Sequence, residues 1–326
     1  MRAMTMRTLR ASTFRGGYWL LLAGACVLLV ACNKGEKAAG KGKTFPTPEA
    51  AAESLVAAAE RWDVPALTAI LGPSGVDLVL TDDQVQDRNQ AQAFATQART
   101  KTSLVKDSAD SNLVHLVVGS EDWPLPIPLV QDGGAWRFDT EAGREEVLVR
   151  RIGSNELDAI EVCRGYVEAQ KEYALTKHDS SMVNQYAQRV FSTPGKHDGL
   201  AWQDPDSTWQ GPVGEEIARA IAEGYKPRMN PYHGYYFKIL KGQGPAAPMG
   251  EIDFVVKGAM IGGFALAATP AEYGVTGIKT FMVSHDGIVY EKDMGEDSMK
   301  QFETLERYNP DSTWKPVAEQ SEAEPT

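Results

Sequence analysis

Five histidines (His115, His178, His197, His233 and His285) and three cysteines (Cys26, Cys32 and Cys163) are the side chains best suited to attack, carry protons or ligate metal. Their spacing joins none of them. No two histidines share a helix face, no HExxH occurs, and no Cys/His pair has zinc-ligand spacing, so no metal site is predicted. Gly72-Pro73-Ser74-Gly75 and Gly242-Gln243-Gly244 lack the Lys-Ser/Thr ending of a phosphate loop, and no GxSxG is present, so no cofactor is predicted either. Cys163 falls on the apolar stripe of a predicted helix, where a free thiol reads as an inert core residue. Asp139, Glu141, Arg144, Glu145 and Glu146 follow a predicted strand. A carboxylate there, close to His115 in a cleft, is what an envelope hydrolase with a pocket in the N-terminal half would need. The simpler reading is a solvated helix start, where acids are favoured by the helix dipole.

The densest group of binding-type residues is aromatic. Trp202, Trp209, Tyr225, Tyr232, His233, Tyr235 and Tyr236 lie in or beside loops that flank a predicted strand, with Asp204, Asp206 and Asn230 among them. Exposed rings combining apolar area with a polar handle suit a glycan or a peptide. The competing expectation is that they pack between loop and sheet.

The elements that must position these residues are legible from pattern. Thr47-Pro48-Glu49 opens a helix with an N-cap oxygen, a proline at the first position and an acid in the first turn. Ala52, Leu55, Val56, Ala59 and Trp62 continue it at helical spacing, and Asp63-Val64-Pro65 breaks and restarts it. A further helix is predicted over Asp87–Arg99, and a strand over Leu113–Val118. Pro124, Pro126 and Pro128 sit in phase, so one edge of that stretch lacks donors; this predicts an edge strand paired on its other side with Ala135–Phe138. Glu141–Ile152 reads as a helix leading through Gly153-Ser154 into a longer one, Asn155–Thr176. Short helices are predicted at Ser181–Phe191 and Val213–Glu223. Tyr235–Leu240, Phe254–Lys257, Phe264–Ala268 and the hairpin Phe281–Tyr290 read as about four antiparallel strands, with Asp286-Gly287 as a type I′ turn. Gly262-Gly263 suggests a bulge or a close backbone contact.

The N-terminus is organised differently. Four arginines and no acid precede an apolar run, Tyr18–Ala31, too short for a stable span and typical of a signal peptide. Its end, Leu29-Val30-Ala31-Cys32, resembles a bacterial lipobox, which implies lipidation of Cys32 and cleavage before it. Asn33 stands where an aspartate would favour inner-membrane retention, which points to the periplasmic side of the outer membrane. Asn33–Lys43 reads as a flexible tether. The 326-residue chain carries a net charge of −11, and removal of the leader makes it more acidic. That excludes an electrostatic footprint for nucleic acid, so membrane attachment is expected through the lipid.

Three resemblances follow from particular strings. Gly234-Tyr235-Tyr236-Phe237, Pro270, Tyr273-Gly274-Val275-Thr276-Gly277 and Asp286-Gly287-Ile288-Val289, placed after a long helix, resemble the globular head of pilin and pseudopilin proteins; Arg144, Arg150 and Arg151 stand where such a protein has its apolar stalk. Helices followed by a curled antiparallel sheet in the first half resemble small cone folds of the scytalone-dehydratase-like group. DWPLPIPLV, GGAWRFDT, GREEVLVRRIGSNELDAI, STPGKHDGL, PYHGYYFKIL, PAEYGVTG and HDGIVYEKDMG resemble, over Phe45–Pro316, a bacterial exported-protein family known as domain of unknown function 2950. That resemblance implies export and carries no activity.

The expectation is an α+β protein with a signal peptide at 1–31, a lipidated cysteine and tether at 32–46, a cone-like domain at 47–143, a pilin-head-like domain at 144–316 and an acidic disordered tail at 317–326. Its expected role is a non-enzymatic binding or assembly module of the envelope. The expected partner is the membrane lipid, with an envelope protein or a glycan such as peptidoglycan beside it.

Overall fold

A computed structural model describes residues 40–226 and 231–318. The predicted leader, Cys32, residues 33–39 of the expected tether, Asn230 and residues 319–326 of the tail lie outside the described residues, whereas the tether's remaining residues join the fold, with the Lys43 N–H on Ala69 O at 2.8 Å and Phe45 on Trp136.

Local sequence explains the first half. Helix α1 (Pro48–Glu60) starts where Thr47 accepts the Ala50 N–H at 3.2 Å. Helix α2 (Val64–Leu71) starts at Asp63, which caps the Ala66 N–H at 3.1 Å, and ends at Gly72 with φ 81°. A 3-10 turn (Pro73–Gly75) and the short α3 (Val76–Val79) lead to α4 (Gln84–Thr100). Strands β1 (Thr102–Lys106), β2 (Leu113–Val118), β3 (Trp123–Pro124), β4 (Leu129–Asp132) and β5 (Ala135–Phe138) then form an antiparallel sheet in the order β1-β2-β4-β5, with β3 also on β2. The proline-rich stretch is therefore not one edge strand. It breaks into β3 and β4, because Pro124 and Trp123 pair with Val117 and Val118 while Leu129 and Val130 lie between β2 and β5. The predicted pairing with Ala135–Phe138 is present, closed by Gly133 (φ 59°) and Gly134 (φ 85°). Ala51, Leu55, Ile70, Ala95, Leu116, Leu129 and Phe138 are buried together beneath this sheet.

Helix α5 (Thr140–Tyr173) is continuous. The break expected at Gly153-Ser154 does not occur, since a helix tolerates an interior glycine at a cost of about 1 kcal/mol. At its start Gly143 lies against the β3–β4 connection, where a Cβ would come within 2.6 Å of Ile127 Cα. Ala159, Cys163, Tyr166, Val167 and Tyr173 then form its buried stripe in a second core.

The second half holds a small hairpin, β6 (Trp202–Gln203) with β7 (Trp209–Gln210), followed by α6 (Gly214–Glu223), which ends at Gly224 with φ 109°. The helix predicted at Ser181–Phe191 is irregular chain, because that stretch forms its bonds outward: Tyr186 bridges Met260 and Phe191 bridges Ala201. After β8 (Tyr235–Leu240) come two pairs of short strands: β9 (Gly242–Gln243) joins β10 (Ile252–Asp253) and β11 (Val255–Val256) joins β12 (Ala259–Met260). Phe254–Lys257 thus stays out of the main sheet, which is five-stranded: β13 (Ala265–Pro270), β14 (Lys279–Ser284), β15 (Val289–Asp293) and, after α7 (Ser298–Thr304), β16 (Lys315–Pro316), in the order β16-β15-β14-β13-β8. The β14–β15 turn is not type I′. Only Gly287 has positive φ (79°), and its N–H bonds Ser284 O at 2.9 Å, so the loop is longer than two residues. The close contact expected at Gly262-Gly263 is present: a Cβ on Gly263 would meet the Phe254 ring at 2.8 Å. The protein is thus mixed α+β with several antiparallel sheets.

Candidate functional site

A buried polar group forms where the N-terminus of α4 meets the start of β8 and the face of α5. Asp83 is fully buried. Its Oδ1 accepts the Gln86 N–H at 3.1 Å, capping α4. Its Oδ2 accepts from Tyr225 Oη at 3.0 Å and from the Gly234 N–H at 2.9 Å. Beside it, Asp87 Oδ2 accepts the Thr81 N–H at 2.6 Å. Burial pushes the Asp87 carboxyl up to about 6, against the Thr81 bond and the positive charge of Arg151. Gln86 Nε2 donates to Asn155 Oδ1 at 3.0 Å, and Asn155 Nδ2 donates to Thr276 O at 2.9 Å. Gly234 has φ 73°, and a Cβ there would strike Asn155 Nδ2, so the position takes glycine for both reasons. Burial, then the Asp83 charge, holds the Tyr225 phenol above its ordinary range.

His233 borders this group with φ 48°. Its Nδ1 meets Asp158 Oδ2 at 2.7 Å and its Nε2 faces Glu223 Oε2 at 3.9 Å. The ring stacks on Tyr232 at 4.2 Å, and Tyr225 meets Tyr232 edge-on at 5.0 Å. Arg88 Nη2 and Asn89 Nδ2 both donate to Glu223 O, at 2.9 and 3.2 Å, tying α4 to the end of α6. A histidine with both nitrogens turned to carboxylates is suited to an ionic bridge. A general base needs a free nitrogen within reach of a proton. Among the described residues neither nitrogen meets a hydroxyl or a thiol.

The predicted aromatic set does not form one surface. Tyr225, Tyr232 and His233 are together, as above. Trp202 packs elsewhere, with the His197 ring at 4.6 Å and Gly211 against its six-membered ring, and His178 beyond, stacked on Tyr173 at 3.9 Å. Trp209 meets Phe191 edge-on at 5.8 Å. Tyr235 is fully buried and donates to Lys279 O at 2.9 Å, while Tyr236 is half-buried against the second core. His115 pairs with Asp107 at 3.6 Å and Asp139 with Arg137 at 3.4 Å, so the contact of His115 with Asp139 or Glu141 expected of a hydrolase is not among the ion pairs of the described residues. Cys163 is buried, which pushes its thiol up to about 12.

Asp83, Asp87, Asn155 and Asp158 were not singled out by sequence. One signal for Asn155 existed: it falls on the same stripe as Ala159, Cys163 and Tyr166, so a polar residue there had to be buried.

Two shallow depressions lie away from this cluster. One runs between α1, the end of α4 and β1, lined by Glu49, Glu53, Val56, Arg99, Thr102 and Leu104. The other follows α5 past Arg144, Leu148 and Val149. Among the described residues no group of three or more His, Cys, Asp or Glu side chains is placed to hold a metal ion, and no helix is long and apolar enough to cross a membrane.

In comparison with known proteins, a family model described as a protein of unknown function (DUF2950) matches residues 42–317. No curated protein and no solved structure matches the chain.

Proposed function

The chain belongs to DUF2950, a family of proteins of unknown function, and on that premise we propose a lipid-anchored bacterial envelope protein that works as a binding or assembly module. Cys32 carries the lipid, residues 33–39 tether the folded part to the periplasmic side of the outer membrane, and that part divides into a first domain over 47–143 and a pilin-head-like domain over 144–316. A tether of this length reaches at most about 25 Å, so the folded part works close to the membrane surface.

The observation that carries the reading is the Asp83–Tyr225–Gly234 junction. This buried polar cluster ties the chain's two halves together through side chains 142 and 151 residues apart. Fixed relative placement of surface features serves assembly. The packing of α5 across β13, β14 and β15 supports the pilin-head-like reading.

Two measurements test it. Cells fed a labelled fatty acid should incorporate it into the wild type and not into Cys32→Ser. Crosslinking in intact cells, followed by mass spectrometry, should capture a reproducible protein partner. A defined turnover activity that copurifies with the wild type and disappears in a point variant would sink the reading.

A further inference from the structure

Two of the four end strands of the five-stranded sheets, β5 and β16, are blunted. On β5, Phe45 and Trp136 exchange both main-chain bonds at 2.7 Å. On the far side of the second sheet, β16 has two residues and one is Pro316. The edge at β1 is different. Thr102–Lys106 has no proline and no bulge, and Val105 is 50% exposed. Exposed edges of this kind invite pairing with another strand.

The hydrogen-bond phase of β1 says which groups are on offer. Gly119 N–H bonds Lys101 O at 3.0 Å and Asp107 N–H bonds Leu113 O at 2.9 Å, so the odd-numbered residues of β1 face β2. Leu116, the register partner of Leu104, gives its carbonyl to Leu125 N–H on its other side, which agrees. Thr102, Leu104 and Lys106 therefore turn their main-chain N–H and C=O groups outward.

We propose that β1 pairs antiparallel with β1 of a second copy of this chain, about a two-fold axis at Leu104. The register is self-complementary. Leu104 meets Leu104 of the second copy, and Thr102 meets Lys106 in both directions, which aligns all three outward residues as hydrogen-bonded pairs. One step further out, Lys101 faces Asp107 of the second copy, an opposite-charge cross-strand pair made twice. Lys106 of the second copy enters the face on which Glu49 and Glu53 line the groove beside Thr102. The exposed Val105 comes to rest opposite Ser103. A five-residue edge makes a small interface, weak in dilute solution. Two copies held on one membrane raise each other's effective concentration, so this pairing deepens the assembly reading and names its first partner.

The test is disulfide trapping with the purified full chain in detergent. Ser103 and Val105 of opposite copies form a non-hydrogen-bonded pair, with Cα atoms about 4.5 Å apart, within disulfide reach. A mixture of Ser103→Cys and Val105→Cys proteins under mild oxidation should give a covalent dimer several-fold faster than Ser103→Cys alone, whose equivalent residues sit diagonally about 7–8 Å apart. Adding Lys106→Pro, which removes an outward N–H and leaves the β1–β2 ladder intact, should cut the yield several-fold at unchanged melting temperature. No dimer from natively melting proteins overturns the pairing, as does equal trapping in the mixture and in Ser103→Cys alone. Trapping in detergent does not depend on where the lipid sits, so failure of the anchor reading and failure of the pairing are separate results.

Discussion

Asp83 and Gly234, 151 residues apart, are joined by a 2.9 Å bond from the Gly234 N–H to Asp83 Oδ2. The same carboxylate caps α4 and accepts the Tyr225 hydroxyl. Asp83→Ala leaves two buried donors without an acceptor, at about 1–3 kcal/mol each, and removes a helix cap worth about 1 kcal/mol. Urea denaturation should record a loss of about 3–7 kcal/mol. A loss under 1 kcal/mol would mean the halves do not depend on this bond.

Asp87 gives the fold a pH dependence of defined sign. Its carboxyl is raised from 3.8 to about 6 in the folded chain by burial, against the Thr81 bond and Arg151. The folded state therefore holds the proton more tightly than the unfolded chain. This group's contribution is fully present below pH 4 and is lost as pH rises through 6. The wild type should lose about 3 kcal/mol relative to Asp87→Asn between pH 4 and pH 7. Parallel stability curves for the two proteins would contradict this.

Two glycines of one helix should respond in opposite directions. A Cβ on Gly143 meets Ile127 Cα at 2.6 Å, whereas one on Gly153 meets nothing within 4 Å. Gly143→Ala should destabilise by about 1–3 kcal/mol through overpacking. Gly153→Ala should stabilise by about 0.5–1 kcal/mol, because alanine is the better helix former. Thermal melts of the two variants decide it.

Cys163 should resist alkylation in the native protein. It is fully buried and its thiol is pushed up to about 12. Mass spectrometry after iodoacetamide treatment should find its peptide unmodified until urea is added. Rapid native labelling would show that α5 opens readily.

Trp202 is held between Gly211 and the His197 ring. Trp202→Ala should therefore lower the melting temperature and leave sedimentation with purified peptidoglycan unchanged. Reduced sedimentation by a variant that melts like the wild type would restore the glycan-binding reading.

Some of the fold was legible because its causes are local. The cap at Thr47, the restart at Asp63 and the end of α6 at Glu223 depend on a few consecutive residues, and each stands where the pattern placed it. The continuous α5 differs because thirty-four residues of helix packed between two cores outweigh the glycine at the expected break, Gly153. Residues 181–191 differ for the converse reason: a weak helical pattern yielded to bridges with Met260 and Ala201, partners far or unpredictable in sequence.

The candidate site divides the same way. By itself the sequence determined the starts of α1 and α2, the strands at 113–118, 135–138, 235–240 and 281–284, and the α+β class, since dihedral preference and apolar period act over short spans. Only the tertiary structure decided that Asp83 meets Tyr225 and Gly234, that His233 lies between Asp158 and Glu223, and that the aromatic residues part into separate groups. Those pairings are set by which surfaces close on each other when two cores share one helix. A buried carboxylate's partner is found by that closure, and nothing in the neighbouring residues specifies it.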